Sequence, residues 1–132
     1  MKASELRIGV YVMLIKSGLY GMITGILKSS MHKSYTIETD CFGLNSLDSF
    51  EGIPLTEEWL LKFGFEDTSY ADFIKKFNDH EYIRVSFKDY AHTTLACKPI
   101  EVSDFDLKLE CKYVHQLQNL YFALTGEELT IK

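Results

Sequence analysis

Two prolines, three cysteines and no long run of like charge define this 132-residue chain first by what it does without. So little proline excludes a polyproline-type linker or recognition segment, because Pro54 and Pro99 stand alone in sequence that is otherwise free to form hydrogen-bonded structure. Cys41, Cys97 and Cys111 are odd in number and lack CxxC spacing, which argues against a disulfide framework or a zinc knuckle and for reduced thiols. No apolar run approaches the ~20 residues that span a bilayer. The opening MKASELRIG has neither the apolar stretch nor the small-residue cleavage site of a secretory signal. A soluble, cytoplasmic protein with no membrane segment is expected.

What is present suits a folded α+β domain. Hydrophobic residues at 46% and aromatics at 14% exclude a disordered chain. The length is that of one ordinary domain, or of two small lobes. The formal charge is −5, and it is uneven: of 14 basic and 19 acidic residues, five of each lie in residues 1–55, leaving nine against fourteen beyond. Such a balance repels phosphate backbones at long range, so nucleic-acid binding needs a local basic patch and is disfavoured.

The first fifty residues alternate or run apolar at Val10 to Ile15, Leu19 to Leu27 and Ser34 to Thr39, separated by the turn KSG and the longer loop KSSMHK. Five glycines among short strands favour bulges and bends, so residues 1–52 are expected to form a small, curved antiparallel sheet or SH3-like barrel. Residues 53–132 are expected to form an α+β lobe packed with the first as one unit. In IPLTEEWLLKFGF, Thr56 is placed to cap a helix, Leu55 and Leu60 to staple it, and Gly64 to stop it, with Trp59, Leu60 and Phe63 as its buried stripe. Tyr70, Phe73, Ile74 and Phe77 fall at i, i+3, i+4 and i+7, which predicts a second helix over Tyr70 to Asn78. EYIRVSFKDY, TTLACKPIEV and FDLKLECKY then read as an antiparallel meander packed on a helix. Pro99 places the middle stretch at an edge or on a bulge. A last short strand is expected over Glu128 to Ile131.

The segment YVHQLQNLYFALTG, Tyr113 to Gly126, carries no charged side chain although a quarter of the chain is charged. It reads as a helix covered on more than one side. With a core stripe at Tyr113, Leu117, Leu120, Tyr121 and Leu124, its opposite face presents His115, Gln118, Asn119 and Phe122, polar but uncharged, as an interface core often is. These four are the candidate interface for a protein partner or for self-association. The alternative is a helix sandwiched inside the domain, its amides serving backbone groups.

LRIG near the N-terminus, IPLTEEWLLKFGF and KYVHQLQNLYFALTGEEL together resemble a family of small proteins of gut Bacteroidetes and their phages or mobile elements. Val10 departs from it, standing where relatives often have Asn. The resemblance implies a setting among accessory genes of intestinal bacteria and carries over no catalytic residue.

Chemistry-bearing motifs are scarce. The histidines, His32, His80, His92 and His115, lack metal-ligand spacing, there is no HExxH, GxSxG, Walker or GxGxxG pattern, and no cofactor or metal is expected. Cys41, after an acidic residue in a turn, is a nucleophile only if a base or positive environment lowers its pKa. Cys111 alternates with Leu107 and Leu109 and reads as core. Lys28, His32 and Lys33 in the KSSMHK loop form a weak nucleic-acid candidate, with Tyr11, Tyr20 and Tyr35 as possible stacking rings. The favoured reading is a non-catalytic binding module, with a nucleic-acid accessory protein or a small enzyme as alternatives.

Overall fold

The computed structural model describes residues 1–31, 34–68, 72–77, 81–89, 92–99 and 107–132. The protein is α+β and divides into two compact units, Met1–Pro54 with Tyr113–Glu128, and Leu55–Lys112 with Leu129–Lys132. The charge-free helix thus groups with the N-terminal strands, whereas the sequence reading placed it with residues 53–132.

In the first unit, strands β1 (Tyr11–Leu14), β2 (Leu19–Lys28), β3 (Tyr35–Thr39), β4 (Gly43–Ser46) and β5 (Phe50–Glu51) form one antiparallel sheet in the order β4-β3-β2-β1-β5. It curls because β2 serves two neighbours in turn: Leu19 to Met22 pair with β1, and Ile23 to Lys28 pair with β3. A register shift between Ile23 and Gly25 marks the bend, where an extra residue sharpens the strand's twist. Alternation then sends Val10, Val12, Ile23, Ile37 and Phe50 inward, where they join Leu6 in one apolar core. A short 3-10 turn, Leu47–Ser49, leads β4 into β5, with the Ser46 hydroxyl accepting from the Asp48 N–H. Helix α2 (Val114–Thr125) completes this unit and ends at Gly126 in the left-handed region. It packs on β1 and on the N-terminal 3-10 turn, Ala3–Glu5.

The second unit opens with α1 (Glu57–Lys62), whose ends are built as its sequence requires. The Thr56 hydroxyl accepts from the Trp59 N–H at 3.4 Å. Gly64 takes φ +82°, the Gly64 N–H reaches the Leu61 carbonyl, and the Phe65 N–H reaches the Leu60 carbonyl, which is a Schellman ending. Trp59, Leu60 and Phe63 are all buried. Strands β6 (Glu66–Asp67), β7 (Asp72–Lys76), β8 (Glu81–Asp89), β9 (His92–Pro99) and β10 (Leu107–Glu110) follow as an antiparallel sheet in the order β10-β9-β8-β7-β6.

Three local expectations are corrected. Within Tyr70 to Asn78, Asp72–Lys76 is strand and not helix, because it pairs with neighbours on both sides while the Thr68 N–H and hydroxyl bond to the Asp72 carbonyl; a nine-residue helix has too few turns to compete with two ladders. β9 lies between β8 and β10 rather than at an edge, its pairing with β8 shifts register between Ser86 and Asp89, and Pro99 is its last residue, where a missing N–H costs least. Glu128 to Ile131 form no strand; Leu129 is buried and the Lys132 N–H bonds to the Lys62 carbonyl. The short strands β4 and β5 were not anticipated at all.

The Trp59 and Phe63 rings meet at a tilt of 44° with centroids 5.6 Å apart, and the Lys62 ammonium lies 4.9 Å from the Trp59 ring centroid. Truncation to alanine removes a large buried ring and leaves a cavity. Trp59→Ala is expected to lower stability by about 3–5 kcal/mol in urea unfolding, and a loss under about 1 kcal/mol would mean that α1 stands free of its core.

Candidate functional site

Helix α2 is turned relative to the expected stripe. Its buried positions are Val114, His115, Leu117, Gln118 and Tyr121, while Tyr113 and Leu124 are exposed. Two of the four candidate interface residues therefore point inward: His115 is 1% exposed and Gln118 0%. Asn119 is half-buried and Phe122 is exposed.

The reason lies in β1. In an antiparallel strand the N–H and C=O groups of alternate residues point to the same neighbour. Residue 15 bonds to the Ser49 carbonyl on the β5 side, so residues 11 and 13 point the same way, as does the Gly9 carbonyl, while the Gly9 N–H turns to the Ile23 carbonyl of β2; β5 pairs with β1 only at Met13 and Leu14. Beyond that point the edge lacks a strand. The Gln118 side chain takes its place: Oε1 accepts from the Tyr11 N–H at 2.9 Å and Nε2 donates to the Gly9 carbonyl at 3.1 Å. One amide thus supplies the donor and acceptor that a strand residue would supply.

Asn119, one residue on, holds the segment that leads into β1. Its Oδ1 accepts from Arg7 Nε at 2.9 Å and its Nδ2 donates to the Glu5 carbonyl at 2.7 Å. Arg7 also pairs through Nη1 with Glu128, donates through Nη2 to the Gln118 carbonyl, and lies 4.3 Å from the centroid of the Phe122 ring. Gly9 completes the clasp, with φ +97° and with the position of a Cβ only 3.2 Å from the Glu128 carboxylate carbon. Arg7, Gly9 and Glu128 were not singled out in the sequence. They lie in LRIG and in LTGEEL, two blocks whose spacing of more than a hundred residues hides their contact.

His115 stacks on Tyr113 with ring centroids 5.7 Å apart and planes 12° from parallel. Both rings press on Gly52, where a Cβ would meet Tyr113 at 2.8 Å and His115 Cε1 at 3.0 Å, so a side chain there would displace them. Burial holds the imidazole below its ordinary pKa, against the opposing pull of the Glu5 carboxylate.

The remaining candidates stand apart. Cys41 is exposed, and the neighbouring Asp40 carboxylate, through a hydrogen bond and its charge, raises the thiol's pKa; this environment disfavours the thiolate a nucleophile needs. Cys111 is buried. Lys28 is exposed with its ammonium 5.8 Å from the Tyr35 ring, and His32 and Lys33 lie outside the described residues. Tyr11 and Tyr20 contact each other edge to face at 6.0 Å. Among the described residues no three His, Cys, Asp or Glu side chains gather to hold a metal ion, and no helix is long and apolar enough to cross a membrane. Neither protein-family models, nor curated proteins, nor solved structures match this chain.

Two substitutions test the clasp. Gln118→Ala withdraws a partner from two buried backbone groups and is expected to cost about 2–4 kcal/mol; Gln118→Glu, which cannot donate to the Gly9 carbonyl and buries a charge, is expected to cost more. Urea unfolding of both variants decides, and a folded, unchanged Gln118→Glu protein would return this helix face to the list of free surfaces. Gly9→Ala is expected to lose about 1–3 kcal/mol to backbone strain, read as a fall in melting temperature.

Proposed function

We propose that the protein is a non-catalytic interaction module that binds another protein through the outer face of the β1–β2 hairpin. One observation carries this reading. Val12 and Ile23 alternate inward, so Tyr11, Met13 and Ile15 of one strand and Tyr20 and Met22 of the other share the outward face, their rungs being Tyr11 opposite Met22 and Met13 opposite Tyr20. Ile15 is 52% and Tyr20 42% exposed. A strand pair that is apolar on both faces departs from the polar-out alternation of a solvated sheet. Tyrosine and methionine are enriched in interface cores over ordinary surface, and the exposed Glu51 opposite Met13 places a charge at the rim of this face.

The finer fold reading, a small SH3-like barrel, is supported by the meander β1 to β4, the 3-10 turn before β5 and the return of β5 onto β1. That fold hosts many unrelated binding functions, so the site carries the argument. The helix face at His115 and Gln118 is spent on the protein's own backbone; Phe122, exposed but beneath Arg7, remains at the margin of the proposal. A bacterial accessory gene of a phage or mobile element is the setting that the motif resemblance supports. Nucleic acid is the weaker alternative, since Lys28 is the one cation of its candidate loop that is described, and the net charge opposes it.

The double variant Ile15→Glu with Tyr20→Glu tests the proposal. Ile15→Glu is expected to change stability by under about 0.5 kcal/mol, and Tyr20→Glu, which also loses the edge-to-face contact with Tyr11, by about 0.5–1.5 kcal/mol. Capture of a partner by the tagged protein in its native host is expected to fall at least about tenfold, as loss of interface anchors does. Unchanged capture removes the hairpin face from consideration, and a wild-type dimer in light scattering that the variant breaks assigns the face to a second copy.

A further inference from the structure

His115 is a buried base that faces a carboxylate it does not quite reach. Neither ring nitrogen makes a hydrogen bond among the described residues, and Nε2 stands 3.7 Å from Glu5 Oε2, just beyond hydrogen-bond reach. Buried polar groups are nearly always paired, so an orphaned imidazole facing a carboxylate calls for an explanation. The geometry around it is specific. Glu5 closes the N-terminal 3-10 turn, which packs on α2, and His115 is the second residue of that helix. On the other side lie the Tyr113 ring and Gly52, which bring no charge.

We propose that His115 and Glu5 form an acid-released latch that holds the N-terminal turn Ala3–Glu5 on the first turn of α2. A neutral imidazole packs against the Tyr113 ring and Gly52 without a charge to desolvate, and the turn rests on the helix beside it. Gaining a proton from solvent places a cation in a site that desolvates it, at the positive end of a helix, with the amino terminus of Met1 adding repulsion. Glu5 alone pulls the other way. It is partly exposed, so its attraction is screened, and desolvation is the larger influence. The sign follows: His115 titrates below its ordinary value of 6.5 when the turn is docked, so docking is at full strength above about pH 6.5 and is lost as pH falls through the displaced value. Opening the turn gives up the bond from Asn119 Nδ2 to the Glu5 carbonyl and rehydrates the cation, while Glu5 Oε2, which accepts from the Lys2 N–H, moves into water with the turn. The device is independent of the hairpin face, and either can fail without the other.

Amide hydrogen exchange between pH 7.5 and 5, corrected for intrinsic rates, tests it with an NMR titration of His115. The reporters are the Glu5 and Leu6 N–H groups, which bond to the Lys2 and Ala3 carbonyls, and the control is the Phe63 N–H, bonded to the Trp59 carbonyl in α1. On acidification exchange at Glu5 and Leu6 is expected to speed up by a factor of about ten for each unit by which docking displaces the His115 titration, with Phe63 unchanged. His115→Gln, which cannot titrate, is expected to abolish the pH response. Glu5→Gln, which keeps the imidazole and removes its counter-charge, is expected to lower the His115 titration further and enlarge the response. A His115 titration above 6.5, a turn that tightens in acid, a response that survives in His115→Gln, or an equal loss of protection at Phe63 would each overturn the latch.

Discussion

A single side-chain amide closes the edge of β1. Where β5 ends, Gln118 meets the Tyr11 N–H and the Gly9 carbonyl, and the two bonds fix the rotation of α2 about its axis as well as its position. Buried backbone groups left unpaired cost more than a typical hydrogen bond returns, so the helix turns the side chain that can satisfy both toward the strand, even at the expense of leaving Tyr113 and Leu124 outside. Val114, Leu117 and Tyr121 then become the buried apolar row by geometry, and Asn119 is brought to the segment that precedes β1.

From that anchor the rest of the first unit follows. Arg7 joins Asn119, the Gln118 carbonyl, Phe122 and Glu128, so both ends of the unit's sequence meet at one guanidinium. The Arg7–Glu128 pair is partly exposed and alone is worth little; its planar fork, shared with an amide and a carbonyl, sets geometry more than it adds energy. These bonds explain the absence of charge at Gln118 and Asn119. Lys or Glu at Gln118 would lack a donor or an acceptor for the strand edge, and at Asn119 would lose one of two bonds to residues 5 and 7. The inward face of this helix, Val114, His115, Leu117, Gln118 and Tyr121, serves the protein's own strands, while Tyr113, Phe122 and Leu124 stay at the surface.

The alternation of Val10 to Ile15 and Leu19 to Leu27 located the first hairpin, since period-two burial is a local pattern. The ends of α1 were equally legible, because Thr56, Gly64 and Phe65 act within one turn of the helix they bound. Residues 72–76 were misread for the converse reason. Phe73 and Ile74 fit a helical stripe as well as a strand, and the ladders to β6 and β8, which decide between them, are invisible locally. The site was legible only in part: the unusual composition of α2 singled out Gln118 and Asn119, while Arg7, Gly9 and Glu128 gave no local signal.

By itself the sequence determined those features whose causes lie within a few residues: an α+β composition, the strand periods, the caps of α1, and the start and stop of α2 at Tyr113 and Gly126. Only the tertiary structure decided which way α2 faces. Hydrophobic spacing leaves a helix with two plausible stripes about 100° apart when its polar residues carry no charge, and the choice falls to the partner that most needs hydrogen bonds. That partner, the uncovered edge at Gly9 and Tyr11, exists only once β5 has paired with β1 and stopped short.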